Sequence, residues 1–96
     1  MYLEIVTPEA VLLSSEVDSV TVPGINGEFQ MLENHAPVVS VLGKGTVKVD
    51  ITSKGINTES LPASFTRDQA NNNVLLLAIE GGVIELKDNK IIVLAE

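Results

Sequence analysis

His35 is the one imidazole among 96 residues, and Glu28 and Glu33 stand shortly before it. One histidine and two carboxylates could begin a metal site, since zinc takes nitrogen, sulfur and oxygen ligands in sets of three or four. No cysteine is present, so no thiolate can complete the set, and thiol nucleophiles and disulfides are excluded. Nucleophilic catalysis would need a base beside a serine or threonine, with a third group to orient it. No serine stands at a spacing that favours His35, which is therefore read as a loop residue contacting a neighbour or capping a turn. Gly24-x-x-Gly27 and Gly43-x-Gly45 lack the strand-to-helix setting and the following Lys-Ser/Thr of a phosphate loop, and are read as turns. No catalytic, cofactor-binding or metal-binding residue is assigned.

These groups are positioned by the stretch from Val22 to Pro37. Asn26-Gly27 is the strongest hairpin signal in the chain, because a type I′ turn needs positive φ at both central residues. A strand ending at Val22 is expected to turn at Ile25-Asn26-Gly27 and return as Glu28 to Leu32. A second bend at Glu33-Asn34-His35 then leads into an apolar run from Ala36 to Leu42, of which Val38 to Leu42 is expected to be a buried strand.

Elsewhere the pattern is of period two. Tyr2 to Val6 reads as an opening strand stopped by Thr7-Pro8-Glu9, and Ala10 to Leu13 as a short apolar run broken by Ser14-Ser15. Glu16 to Val22 alternates imperfectly, with Val17 out of phase with Val20 and Val22, so a β-bulge is expected near Asp18-Ser19. Thr46 to Thr52 alternates most cleanly, placing Val47, Val49 and Ile51 inward. Ser53-Lys54-Gly55 reads as a turn, and a weak strand is expected within Leu61 to Thr66. Val74 to Ile79 reads as a strand buried on both faces. Val83 to Lys87, with Ile84 and Leu86 inward, turns at Asp88-Asn89 into Lys90 to Ala95. Apolar residues never recur at helical spacing over ten residues, and short strands with frequent turns indicate an all-β sandwich or barrel.

Ninety-six residues suffice for one domain, residues 1–96, with a Val, Leu and Ile core, because Tyr2, Phe29 and Phe65 are the only aromatics. No apolar run approaches a membrane span, and Met1 to Val6 is too short for a secretory signal, so a soluble chain is expected. The net charge of −7 is unevenly spread. Residues 1–43 hold six acids and no Lys or Arg, while residues 44–96 hold seven acids and six bases. Nucleic acid is a poor partner for such a surface, and a basic protein would suit it better. Charge by itself, however, favours the simpler reading that acidity keeps a small domain soluble.

Four stretches, in order, resemble the epsilon subunit of the rotary ATP synthase, called delta in mitochondria. They are Leu3-Glu4-Ile5-Val6-Thr7-Pro8-Glu9, then Val17 to Gly24 through Gly27-Glu28-Phe29, then His35-Ala36-Pro37-Val38-Val39, and last Gly81 to Leu86 with Asn89 to Ala95. The resemblance implies a flattened ten-stranded β-sandwich acting as a non-catalytic rotor subunit, which joins the gamma subunit to the membrane c-ring and couples proton flow to ATP synthesis. It implies gamma contacts at Thr7, His35 and Ser40, and c-ring contacts at Ile25, Asn26, Gly27, Glu28 and Glu33. The c-ring loops carry arginine in this family, which matches the acidic first half. The place implied is the cytoplasmic side of the bacterial inner membrane, with the membrane touched only through the complex. No cofactor is implied.

Three features depart from the family. Glu33-Asn34 stands where Pro-Gly usually precedes the histidine, and residues 56–73 are longer and more polar. The chain ends at Ala95-Glu96, where the family usually continues into a two-helix domain with ATP-sensing and inhibitory roles, so those roles are not transferred. A small-ligand-binding β-sandwich is one alternative. A biotinyl- or lipoyl-type carrier is another, disfavoured because Lys44 lies between glycines and Lys90 follows Asp88-Asn89, neither of which suits a modified lysine.

Overall fold

Alternating apolar residues make each strand half core and half surface, and the computed structural model, which describes residues 1–53 and 61–96, contains ten such strands. They are β1 (Tyr2–Val6), β2 (Val11–Glu16), β3 (Ser19–Gly24), β4 (Gly27–Leu32), β5 (Val38–Leu42), β6 (Gly45–Asp50), β7 (Phe65–Arg67), β8 (Val74–Ile79), β9 (Gly82–Lys87) and β10 (Lys90–Ala95). No helix occurs among the described residues. One sheet runs in the order β2-β1-β10-β9-β5, parallel between β1 and β10 and antiparallel elsewhere. The other runs β4-β3-β6-β8-β7 and is antiparallel throughout.

Strand β3 is the seam between them. One of its edges pairs with β4 along its whole length. The other pairs with β6 over Ser19 to Thr21 and meets β5 only at Gly24 opposite Leu42. Leu3, Ile5, Ile84, Leu86, Ile91 and Val93 of the first sheet and Val20, Val22, Met31, Val47, Val49, Leu75 and Leu77 of the second share one core. The all-β, ten-stranded sandwich expected from the sequence is the fold.

Several local expectations fail, each for a pairing reason. Ser14 and Ser15 do not break β2: they pair opposite Glu4 and Leu3, and the Ser14 hydroxyl meets that of Tyr2. The bulge lies not at Asp18-Ser19 but at Leu12, skipped where Ile5 faces Leu13 and Val6 faces Val11. Val17 leaves the ladder, donates its amide to the Met1 carbonyl at 2.9 Å and is fully buried. The β3–β4 turn is Ile25-Asn26, neither at positive φ; Gly27 takes φ 126° after it. The paired positive-φ turn is Asp88-Asn89, at 51° and 63°.

Two strands expected to be buried are one-sided. In β5, Val39 is 76% and Val41 54% exposed. In β8, Leu75, Leu77 and Ile79 face the core while Ala78 is exposed. Strand β7 covers Phe65–Arg67 rather than Leu61 to Thr66. The turn read at Ser53-Lys54-Gly55 falls outside the described residues beyond Ser53, as does the polar stretch up to Ser60.

Candidate interaction surface

Pairing register places one residue of each strand of the first sheet in a line across its outer face. Val41 of β5 stands opposite Val83 of β9, Val83 opposite Leu94 of β10, Leu94 opposite Val6 of β1, and Val6 opposite Val11 of β2. The Leu12 bulge matters here, because it re-phases β2 and brings Val11 outward beside Val6. Four of the five residues are between 41% and 57% exposed. With strands about 4.8 Å apart, the apolar row is roughly 19 Å long. Its β1, β5, β9 and β10 members, with Thr7, Pro8 and Gly82, line a shallow groove of about 600 Å³. A continuous uncovered apolar strip on so small a domain marks an interaction surface.

The next row on this face is mixed, running Val39, Glu85, Ile92, Glu4, Ser14. The third is charged, with Lys87 opposite Lys90, Lys90 opposite Tyr2 and Tyr2 opposite Glu16. The Lys90 ammonium lies 5.8 Å from the centre of the Tyr2 ring.

Of the residues expected to meet gamma, Thr7 borders the groove at the end of β1 and bonds the Ala10 carbonyl at 3.2 Å. His35 lies at the opposite end of the sheet: it precedes Val38, which pairs with Leu86, whereas Val6 shares its row with Val41. Its ring Nδ1 is 2.7 Å from the Ala36 carbonyl, and the side chain is exposed. Ser40 lies between these ends, opposite Ile84, on the inward side of β5 rather than with Val39 and Val41; its hydroxyl donates to the Val41 carbonyl at 3.4 Å. The three are therefore not one cluster.

Ile25, Asn26, Gly27 and Glu28 do form one feature, the tip of the β3–β4 hairpin. Ile25 is 62% exposed, and its amide bonds the Val41 carbonyl at 3.3 Å, which docks the tip beside the β5 end of the apolar row. Gly24 is needed for close approach rather than for a turn: a Cβ there would stand 2.8 Å from the Gly27 carbonyl oxygen and 2.9 Å from the Phe29 ring. Glu28 pairs with Lys48 at 3.3 Å, so the acidic half of the sequence is partly neutralised by the other half in space.

Glu33 belongs to the other end of β4. One oxygen takes the Met1 ammonium at 2.7 Å and the other accepts from Asn89 Nδ2 at 2.6 Å. Glu16 stands 3.3 Å from the same ammonium. Burial depresses that ammonium's pKa, but hydrogen bonds and charge from Glu33 and Glu16 outweigh it, leaving the value above 8.0. His35, Glu28 and Glu33 are thus held on three different partners and do not converge on a metal site.

The row itself went unread in the sequence, although a signal existed. Val83 and Leu94 are apolar in the phase opposite to Ile84, Leu86, Ile91 and Val93, so those strands are apolar on both faces at one end.

Similarity to known proteins agrees with this architecture. The family described as ATP synthase, Delta/Epsilon chain, beta-sandwich domain matches residues 1–62. An ATP synthase epsilon chain of Chlorobaculum tepidum is 36% identical over 74 residues, covering 77% of this chain and 84% of that protein. Another, from Desulforamulus reducens, is 36% identical over 94 residues, 98% of this chain but 57% of that protein. Among solved structures, the fold matches a chain of the Euglena gracilis mitochondrial ATP synthase, OSCP/F1/c-ring assembly, with a TM-score of 0.73 at 18% identity, covering 97% of this chain and 48% of that one. A chain of the central stalk and c-ring of the Tetrahymena thermophila mitochondrial ATP synthase gives 0.68 at 15%, covering 99% and 62%. The chain belongs to the delta/epsilon chain family of ATP synthase, whose β-sandwich domain its residues 1–62 match.

Proposed function

We propose that this chain is a rotor subunit of the central stalk of a proton-translocating ATP synthase, without a catalytic site of its own. The outer face of the first sheet docks on the gamma subunit, and the β3–β4 hairpin tip rests on the c-ring, on the cytoplasmic side of the bacterial inner membrane. The observation that carries this reading is the uncovered row Val41–Val83–Leu94–Val6–Val11, which costs solvation until a partner covers it. Family membership identifies which partners are at hand. Thr7 at the groove belongs with this face and His35 with its far end, while Ser40, on the inward side of β5, is not assigned to it. Ile25, Asn26, Gly27 and Glu28 are assigned to the c-ring contact. Glu33 is assigned instead to holding the loop before His35 against Met1 and Asn89.

The test is co-purification with the gamma subunit of the same complex. The chain should co-elute with gamma, and Leu94→Asp, which puts a charge in the middle of the row at an exposed position, should abolish co-elution while leaving the fold intact. Undiminished co-elution of the variant would refute the assignment of this face.

A further inference from the structure

The apolar row is nearly uniform along its length, with Val or Leu at each strand. Hydrophobic contact alone would let a partner's apolar ridge slide by one strand spacing at little cost, because such contact is non-directional. The adjoining row is not uniform. Glu85 on β9 and Glu4 on β1 flank Ile92 on β10, two strand spacings apart, which is roughly 10 Å. Among the described residues, neither carboxylate takes part in an ion pair, whereas Glu16, Glu28, Glu33 and Glu80 all do. One row further on the sign reverses, at Lys87 and Lys90. The face is therefore banded, apolar, then acidic at β9 and β1, then basic at β9 and β10.

We propose that Glu4 and Glu85 set the register of docking on this face, each pairing with a Lys or Arg of the partner, two such residues standing about 10 Å apart along the flank of an apolar ridge. This rests on the docking reading above and names the chemistry its partner must present. The spacing fixes position along the row, since a slip of one strand would set the cations against Val39, Ile92 or Ser14 instead. The sign reversal fixes position across it, since a slip of one row would bring them against Lys87 and Tyr2, with Lys90 between the two. Like charges so opposed suppress the wrong alignment as effectively as the pairs favour the right one.

The test measures affinity for the gamma subunit at low and high salt, with melting curves as folding controls. Glu4→Lys with Glu85→Lys should weaken binding about tenfold near 50 mM salt, and most of that loss should vanish near 500 mM, where screening is nearly complete. Should the double reversal perturb the fold, Glu4→Gln with Glu85→Gln carries the test, with a smaller loss and the same salt dependence. If both pairs of substitutions leave low-salt affinity within about twofold of wild type while Leu94→Asp abolishes binding, the register proposal falls and the docking reading stands. If Leu94→Asp is also without effect, the face is not the interface and both fall.

Discussion

Val49→Asp places a carboxylate at the centre of the core, where Val49 of β6 lies between Val20 of β3 and Leu75 of β8 with no exposed surface. The only buried polar residue among the described ones is Ser19, so nothing nearby can solvate the charge. A carboxylate so placed titrates far above its usual 3.9, and remaining neutral at pH 7 costs roughly 4 kcal/mol relative to the unfolded chain. The protonated group still lacks partners, adding about 1–3 kcal/mol, and the lost valine burial adds about 1.5 kcal/mol. The total, roughly 6–9 kcal/mol, rivals the 5–15 kcal/mol that holds a whole domain together. Its folded pKa being raised, the penalty grows with pH between the unfolded and folded values. Lowering the pH from 7 to 5 should therefore return roughly 3 kcal/mol relative to wild type. Chemical denaturation at both pH values reads this directly. A midpoint equal to wild type, or a deficit that does not shrink in acid, would refute the placement of Val49. The neighbouring Lys48→Asp, at a position 42% exposed, loses the Glu28 pair and should cost about 1 kcal/mol or less.

Three further outcomes follow from the same geometry. Leu94→Asp, at a position 53% exposed, should shift the melting midpoint by only a few degrees while removing gamma binding, read by thermal melting beside co-purification. Asn89→Ala should cost about 1–3 kcal/mol, since it strains a residue at φ 63° and removes the bonds to the Asn34 amide and Glu33; Asn89→Gly, which relieves only the strain, should recover part of the loss in urea titrations. The Met1 ammonium has a raised folded pKa, so its ion pairs stabilise fully below pH 8.0 and fade as pH climbs through that raised value. The stability gap between wild type and Glu16→Gln with Glu33→Gln should accordingly narrow between pH 7 and 10, and a constant gap would show the pairs to be idle.

Much of this domain can be read from period-two patterning, because alternation reports on which side of a strand the core lies. Val47, Val49 and Ile51, and Ile84 with Leu86, are buried where the alternation puts them. The glycine, proline and asparagine turns and the His-Ala-Pro element locate the hairpins and the family. What alternation cannot report is what covers the other face, since that depends on strands distant in sequence. Val39 and Val41 look buried in the sequence because they are β-branched; they are exposed because they point to the outer face of the first sheet, as Val83 and Leu94 do, and no described residue covers it. The sequence points to Asn26-Gly27 for the paired positive-φ turn, and the structure puts that turn at Asp88-Asn89, because the outcome rests on how the flanking strands pair. Charge shows the same division. The acidity of the first 43 residues is evident from composition alone, yet only folding brings Lys48 to Glu28 and the Met1 ammonium to Glu16 and Glu33. Glu4 and Glu85, 81 positions apart in the chain, enter one row only because β1 and β9 both pair with β10, an arrangement that long-range strand pairing alone creates.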